Sequence, residues 1–188
     1  MKSLKGTQTE RNILTAFAGE SQARNRYDYF AGAAKKDGFV RSPTSSPKPR
    51  FRANKRLFKF LEGGDVEITA AFPAGIITGT EANLYAAAAG EHHEYTEMYP
   101  SFANIADSEG FSEVACVMRN IAIAEQYHEE RFLAFAKNIK EGRVFVRETP
   151  VVWRCRNCGC LVTGTHAPAL CPACAHPTAH FEVLHNPW

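Results

Sequence analysis

Three long stretches of the chain repeat apolar residues every three or four positions, the spacing that predicts amphipathic helices. The first follows a capping-box pattern, Thr7-Gln-Thr-Glu10, and is expected to end near Lys36, before Asp37-Gly38. The second covers 81–99, and the third has apolar positions at 114, 117, 118, 121, 132 and 135. A shorter helix is expected at 55–62, ending at Gly63-Gly64. The pattern therefore predicts a helical bundle.

Two stretches between these helices have a different character. Residues 66–80 are apolar and β-tolerant but interrupted by Gly and Pro, which predicts a long crossover connection. Residues 41–54 contain three prolines, which exclude a continuous helix, and four positive charges without an acid. One interpretation of 41–54 is a basic, polyproline-like arm that contacts an acidic partner or nucleic acid. The other, which we favour, is a disordered surface insert.

Ionisable residues interrupt the apolar face of each long helix. Burial of such groups without partners costs several kcal/mol, so something must satisfy them. Local partners are one explanation: Arg24 lies one turn from the first acid, and a half-buried Glu and His can hydrogen-bond to neighbours. His92 and His93 point to other sides of their helix and are interpreted as surface residues or supporting residues around a site. The residues on the apolar faces are Glu20, Glu91, Glu94, Glu125 and His128.

A metal centre explains all of these residues together. Several carboxylates in one core repel one another unless cations compensate them, and carboxylate-rich sites suit iron or manganese. Glu125 and His128, three positions apart, lie on one helix face and can bind one ion together. Ferritin-like di-iron bundles use a Glu from each of two helices and a Glu-x-x-His from each of the other two. The chain has most of this set. A second Glu-x-x-His is absent; it is expected on the second helix of the four-helix bundle, which lies between the first long helix and the 81–99 helix.

The C-terminal region carries a second metal-binding pattern. Two Cys-x-x-Cys pairs, Cys155/Cys158 and Cys171/Cys174, are separated by twelve residues, which predicts a tetrahedral Cys₄ site. Spacing alone leaves structural zinc and redox iron open. Trp153 and Phe181 are candidates for the apolar core of this small module, which needs its metal to fold. The two remaining cysteines, at 160 and 116, are expected to be a free thiol and a core residue of a helix, respectively.

Composition narrows the class of protein further. The 188-residue chain is 45% hydrophobic with a net charge of +2, which suggests neither a nucleic-acid partner nor a membrane surface. No apolar run approaches the roughly 20 residues of a membrane-spanning helix, and the first residues lack the apolar stretch of a secretory signal. Five of six cysteines lie between 155 and 174, a clustering typical of metal binding rather than disulfides. We therefore expect a cytoplasmic protein.

The combination of a carboxylate bundle and a cysteine tail resembles the rubrerythrin family. The resemblance rests on the segments 16–27, 89–99, 124–128 and 153–159 and covers nearly the whole chain apart from 41–54. It implies a mainly α fold: a ferritin-like four-helix bundle, with its second helix disrupted at 41–54, and a small C-terminal rubredoxin-like β/knuckle domain. The expected domains are 1–146 and 150–188.

The resemblance also implies an activity and roles for residues. It implies a peroxidase that reduces hydrogen peroxide at a di-iron centre, with electrons relayed by an Fe(Cys)₄ centre. The ultimate reductant would be NAD(P)H, through a partner such as rubredoxin or a reductase, and the assembly a head-to-tail homodimer. The implied catalytic residues are Glu91, Glu94, Tyr27 and Tyr99, with the tyrosines close to the metals. The implied metal ligands are Glu20, Glu91, Glu94, Glu125, His128, Cys155, Cys158, Cys171 and Cys174.

The sequence departs from the family pattern in two places. Cys160 stands where a Tyr is usual after Cys-Gly, and 41–54 replaces the part of the second helix that should carry a bridging Glu and a His. An abrupt change between matching flanks is what two compensating frame shifts would produce; re-reading the encoding DNA in another frame tests this by restoring a Glu-x-x-His. The alternative function is therefore an electron-transfer or metal-binding protein in which only the Cys₄ site, with iron or zinc, works.

Overall fold

The computed structural model describes residues 2–40 and 55–184. Its helices are α1 (Gln8–Lys36), α2 (Thr80–His93), α3 (Tyr99–Ser108) and α4 (Ser112–Lys140), and a π-helical segment (Glu94–Met98) joins α2 to α3. Its strands are β1 (Val146–Cys155), β2 (Leu161–His166) and β3 (Phe181–Val183), with a short 3₁₀ helix (Thr178–His180) before β3. The predicted basic arm or insert at 41–54, and the ligands expected there, lie outside the described residues.

Helix α1 agrees with the sequence prediction at both ends. The Thr7 Oγ1 accepts a hydrogen bond from the Glu10 backbone N–H at 3.1 Å, as the capping box requires. The Glu10 carboxylate returns to the N–H of Gly6 at 2.8 Å, one residue earlier than in the standard motif. The helix ends at Lys36, and Gly38 then adopts a φ of +88°, a conformation that favours glycine.

Two helix N-termini are capped by carboxylates from distant parts of the chain. The Glu109 carboxylate accepts from the backbone N–H groups of Gln8 and Thr9 at 3.0 and 2.8 Å, at the start of α1. The Asp37 carboxylate accepts from the N–H and the hydroxyl of Thr80 at 3.0 and 2.6 Å, at the start of α2. Because a helix N-terminus carries unsatisfied N–H groups and partial positive charge, these contacts tie the ends of the bundle together.

The helix predicted at 55–62 is shorter than expected. Within the described residues the chain is helical over 55–58 and then turns, so the predicted helical end at residue 62 is wrong. Glu62 instead leaves the helix and accepts a hydrogen bond from the N–H of Leu4 at 2.6 Å. Residues 61–79, all of which the structure describes, form neither helix nor strand, which confirms the long crossover connection.

The helical run from α2 through α3 is longer than predicted and contains an extra residue. The sequence predicts a helix over 81–99, but helical structure continues to Ser108, through Pro100. The π segment explains this: the Tyr99 N–H donates to the Glu94 carbonyl five residues earlier, so the regular bonding ladder is already interrupted where Pro100, which lacks an N–H, enters.

The π segment also shifts the buried face of this helix by one position. A continuous α-helix would extend the buried face to 98, 102 and 105, because 3.6 residues make one turn. Met98, which a continuous helix would place on that face, is only partly buried, and Tyr99 takes its place. The fully buried positions before and after the segment are Leu84, Ala87, Glu91, Tyr99, Ala103 and Ala106.

The bundle has two apolar clusters with a layer of acidic residues between them. The first cluster contains Ile13, Leu57, Tyr99 and Met118 among others, and the second contains Tyr27, Phe30, Leu84 and Phe132. Along α1, α2 and α4, the residues that fall between the two clusters are the predicted acids. The helix pattern read from the sequence is thus confirmed where it matters for the site.

The C-terminal module is a three-stranded antiparallel sheet in the order β2-β1-β3. Trp153 and Phe181 are buried against the cysteines, as predicted, and the Trp153 indole N–H donates to the Gly164 carbonyl at 2.9 Å. Cys116, however, is exposed on α4, so its predicted place in the core is wrong. Val114 and Met118 on either side of it face the core, and a residue two positions from each points outward. The division into domains 1–146 and 150–188 stays a prediction.

Candidate metal centres

The acidic layer is assembled from three helical runs. Glu20 comes from the middle of α1, Glu91 from α2, and Glu125 from α4, and these whole residues are only 1%, 0% and 1% exposed. Glu94 is the first residue of the π segment, and His128 lies one turn after Glu125. Each residue lies on the apolar face of its helix, at a position where the helical repeat places a side chain in the core. The carboxylates are therefore in the core for the same reason as their apolar neighbours.

These side chains form two groups that share one residue. Ligand atoms of Glu91, Glu125 and His128 lie within 4.8 Å of one another, and so do those of Glu20, Glu94 and Glu125. A carboxylate has two oxygens, so Glu125 can serve both groups at once. The geometry is therefore that of two adjacent metal positions with Glu125 between them.

His128 is held against two of the carboxylates. Its Nδ1 lies 2.5 Å from Glu125 Oε2 and 3.6 Å from Glu91 Oε2. The imidazole side chain is 15% exposed, whereas the Glu91 and Glu125 side chains are 0% and 2% exposed. His128 is thus more exposed than the two carboxylates that it contacts.

Two buried tyrosines hydrogen-bond to the carboxylates. The Tyr27 hydroxyl donates to Glu91 Oε1 at 2.8 Å, and the Tyr99 hydroxyl donates to Glu20 Oε1 at 2.9 Å. Burial raises the pKa of Tyr99 well above its ordinary value, and the nearby Glu20, Glu94 and Glu125 carboxylates raise it further. Tyr99 therefore keeps its proton and orients a carboxylate oxygen, a supporting contact of the kind that metal ligands commonly receive.

The donor set fits a pair of hard metal ions. Three carboxylates with at most 1% exposure cannot all remain charged at this separation in an apolar core without cations. Oxygen donors with one imidazole match iron or manganese rather than a thiolate-seeking metal. The residues present therefore fit a di-iron centre.

The four predicted cysteines converge in the C-terminal module. The Sγ atoms of Cys155, Cys158, Cys171 and Cys174 lie within 4.8 Å of one another. The Cys155–Cys174 and Cys158–Cys171 sulfur pairs are 3.7 and 3.6 Å apart, a separation that suits four thiolates around one tetrahedral ion. Of the described cysteines, Cys160 stands outside this group and packs half-buried beside it.

Backbone N–H groups favour the thiolate forms of Cys171 and Cys174. The N–H of His176 lowers the pKa of Cys174 below its ordinary value. For Cys171, burial raises the pKa, but the N–H groups of Ala173 and Cys174 outweigh burial and the net shift is downward. Because metals bind the thiolate, these amides prepare the knuckle for an ion.

The two surface histidines are placed as predicted. His92 and His93 have side chains 55% and 62% exposed and pair with Glu129 and Glu97 at 3.1 and 3.4 Å. Sequence reasoning missed the π segment on which Glu94 lies. Pro100, directly after a helical acidic pair, is the signal that could have revealed it, because a helix that continues through Pro must interrupt its hydrogen-bond ladder.

The fold and the two sites define a class of protein: a ferritin-like carboxylate bundle joined to a rubredoxin-like Cys₄ module. The family model described as "Rubrerythrin" matches residues 51–136, and the one described as "Rubrerythrin, rubredoxin-like domain" matches 153–182. The chain is 68% identical to the rubrerythrin of Nitratidesulfovibrio vulgaris over 192 residues, covering 100% of both chains. It is 53% identical to the rubrerythrin of Porphyromonas gingivalis over 186 residues, covering 97% and 93% of the two chains.

The chain belongs to the rubrerythrin family. The solved structure of nigerythrin in its fully reduced, all-ferrous state has a TM-score of 0.58 at 26% identity and covers 97% of this chain and 92% of its own. The mixed-valence state has the same TM-score at 24% identity, which shows the fold alone. The protein is accordingly an iron-containing oxidoreductase, with a di-iron site and a rubredoxin-like Cys₄ iron site. In the described part of the chain, no helix is long and apolar enough to cross a membrane.

Proposed function

We propose that the protein is a peroxidase that reduces hydrogen peroxide to water at the di-iron site, with electrons relayed by the Cys₄ iron. The observation that carries the proposal is the convergence of five ligand residues in one layer of the bundle, three of them buried: Glu20, Glu91 and Glu125, with Glu94 and His128 beside them. The four-cysteine knuckle of the same chain supports it, because a one-electron iron centre is a suitable donor. A protein that used only its Cys₄ site would have no need of these acidic residues in the bundle.

The proposed ligands divide between the two metal positions. Glu91 and His128 belong to one position, Glu20 and Glu94 belong to the other, and Glu125 is shared. When bound, the iron pair supplies two electrons for cleavage of the O–O bond, and the Cys₄ iron replaces them one at a time. The chain contributes the buried, water-excluding surroundings and fixes the direction of each carboxylate.

Tyr27 and Tyr99 orient the carboxylates and hold protons beside them. Each hydroxyl donates to a different ligand, Glu91 or Glu20. Burial raises the pKa of Tyr99 and so favours its protonated form. Cleavage of the O–O bond to water consumes protons, so protonated phenols at hydrogen-bonding distance from ligand oxygens are suitable members of a proton path.

The partners and setting follow from the same proposal. The electron donor to the Cys₄ iron is a rubredoxin or a reductase that draws on NAD(P)H, and the protein works in the cytoplasm. The functional assembly is a homodimer in which the Cys₄ module of one chain serves the di-iron site of its partner.

Metal analysis combined with a peroxide assay tests the proposal. We expect about three irons per chain and peroxide consumption that depends on a supplied reductant. Glu125→Gln should lose iron from the bundle and most of the activity, because the shared carboxylate becomes a neutral amide. Glu130→Gln, an exposed position on the same helix, is the matched control and should keep both.

The contrary outcome is also specific. About one iron or zinc per chain, no peroxide consumption, and indifference to Glu125→Gln would refute the peroxidase proposal. That result would support the electron-transfer or metal-binding alternative, with only the Cys₄ site in use.

A further inference from the structure

A large cavity lies beside the candidate di-iron site, between α1, the α2–π run and the crossover connection. Its volume is about 840 Å³. The connection packs closely on α1: a Cβ added at Gly19 would come within 3.2 Å of the Phe72 ring. Phe72 therefore covers one side of the cavity where Gly19 leaves room for it.

The cavity has charged and apolar parts. The charged part includes Glu94, which is a proposed ligand, and Arg26, whose guanidinium lies 5.8 Å from the Tyr27 ring centroid. In the described part of the chain, the buried Nε of Arg26 has no hydrogen-bond acceptor. The apolar part is lined by Phe30, Phe72, Ile76, Met98 and Phe102.

This shape exceeds what hydrogen peroxide needs. Cavities of roughly 300–1,000 Å³ with apolar walls and a few polar groups bind organic molecules, whereas hydrogen peroxide has only two heavy atoms and no apolar part. An organic hydroperoxide matches both parts of the cavity: its O–O–H end is polar, like the charged part, and its organic group is apolar, like the rest. Of the residues around the cavity, Glu94 alone belongs to the proposed metal site, so the polar end of such a molecule belongs there.

We propose that this cavity admits organic hydroperoxides as substrates, with the apolar group among the aromatic side chains and the O–O bond beside Glu94. The inference rests on the proposed peroxidase function and extends its substrate class. Reduction would break the O–O bond with two electrons that the iron pair would supply when bound, and two protons would be taken up. The products are one alcohol, ROH, and one water, and the Cys₄ iron restores the electrons.

Two alanines on α2 can be substituted to fill the cavity without a change to the buried core. Ala86 and Ala89 line the cavity and are exposed, so a larger side chain at either position enters the cavity. Ala82 is exposed on the same helix but lines a separate depression with Asp37 and Tyr85. Ala89→Phe is therefore the test variant, Ala86→Phe its duplicate, and Ala82→Phe the matched control.

The experiment compares cumene hydroperoxide with hydrogen peroxide on iron-loaded protein under the same reductant. The wild type should reduce both. Ala89→Phe should lower the ratio of kcat/KM for cumene hydroperoxide to that for hydrogen peroxide by at least about tenfold, because the ring occupies the space of the apolar group. Ala82→Phe should leave the ratio unchanged. Circular dichroism confirms that each variant keeps its helices, and Ala86→Phe replaces Ala89→Phe if the latter fails to fold.

A binding measurement independent of turnover completes the test. Saturation-transfer NMR on zinc-loaded protein, whose metal sites hold a redox-inert ion, should detect the product alcohol, 2-phenyl-2-propanol, bound to the wild type and to Ala82→Phe but not to Ala89→Phe. Reduction of hydrogen peroxide without reduction of cumene hydroperoxide would overturn the inference and leave the peroxidase proposal intact. An unchanged ratio in Ala89→Phe would also overturn it. Failure to reduce either peroxide would overturn both.

Discussion

Tyr99→Phe tests whether the buried phenols contribute to the site rather than merely to packing. The substitution removes one hydroxyl and leaves the ring, so the apolar cluster around position 99 keeps its shape. The lost interaction is the 2.9 Å hydrogen bond to Glu20 Oε1. Hydrogen bonds to charged groups contribute about 1.5–3 kcal/mol, and removal of such support from a metal ligand typically costs about 10- to 100-fold in metal affinity or activity.

The assay measures kcat/KM for hydrogen peroxide and the iron content of the same preparation. We expect Tyr99→Phe to lose activity, iron or both by about 10- to 100-fold. Tyr95→Phe, which removes an exposed hydroxyl that contacts His92 at 3.2 Å, controls for the loss of a tyrosine near the site. Full iron content and activity within about twofold of wild type in Tyr99→Phe would refute the proposed role, because 1.4 kcal/mol corresponds to a tenfold effect.

The remaining predictions concern the caps and the cysteine module. Asp37→Ala should cost about 1 kcal/mol and lower the melting temperature by about 2–4 °C, as calorimetry can check. The two Thr80 contacts lower the pKa of Asp37 below 3.8; its stabilisation is therefore present above that value and lost as pH falls through the folded pKa, so acid titration should bring wild type and variant together. Cys158→Ser should abolish the ferric-thiolate absorption while far-ultraviolet circular dichroism retains the bundle helices. Cys160→Ala should lower the reduction potential of the Cys₄ iron in spectroelectrochemistry, because the half-buried thiol packs beside the four cysteines and a nearby S–H donor stabilises the more negative, reduced state. An unchanged potential would contradict this.

The metal-binding residues could be identified from the sequence for two reasons: the acids stand at positions that should be apolar, and the cysteines stand at a recognisable spacing. Glu20 and Glu125 interrupt apolar stripes, and buried acids are rare enough to require an explanation. The cysteine spacing needs no tertiary information at all, because both pairs are local. In the structure the acidic residues and His128 form two groups of three that share Glu125, and the cysteines form one group of four; the ligand atoms of each group lie within 4.8 Å of one another.

Other features depend on contacts that local patterns do not contain. Asp37 and Glu109 cap helices whose first residues lie 43 and about 100 positions away, so nothing in their own neighbourhoods indicates the role. The helix predicted to end at residue 62 stops earlier because Glu62 contacts the N-terminal segment instead. Cys116 was misplaced because hydrophobic character alone does not fix the side of a helix; position relative to Val114 and Met118 does.

The extra residue in the π segment means that this helix can lose one residue without losing its buried face. Deleting one residue from 95–98 would restore a regular α-helix and its ladder of hydrogen bonds. Tyr99, Ala103 and Ala106 would then occupy the positions that a continuous helix buries, so Tyr99 would stay beside Glu20. Conversion of the segment to a regular α-helix without a deletion would instead rotate 99–108 by about 100° relative to α2. Tyr99 would then leave Glu20, and the two halves of one buried face would separate.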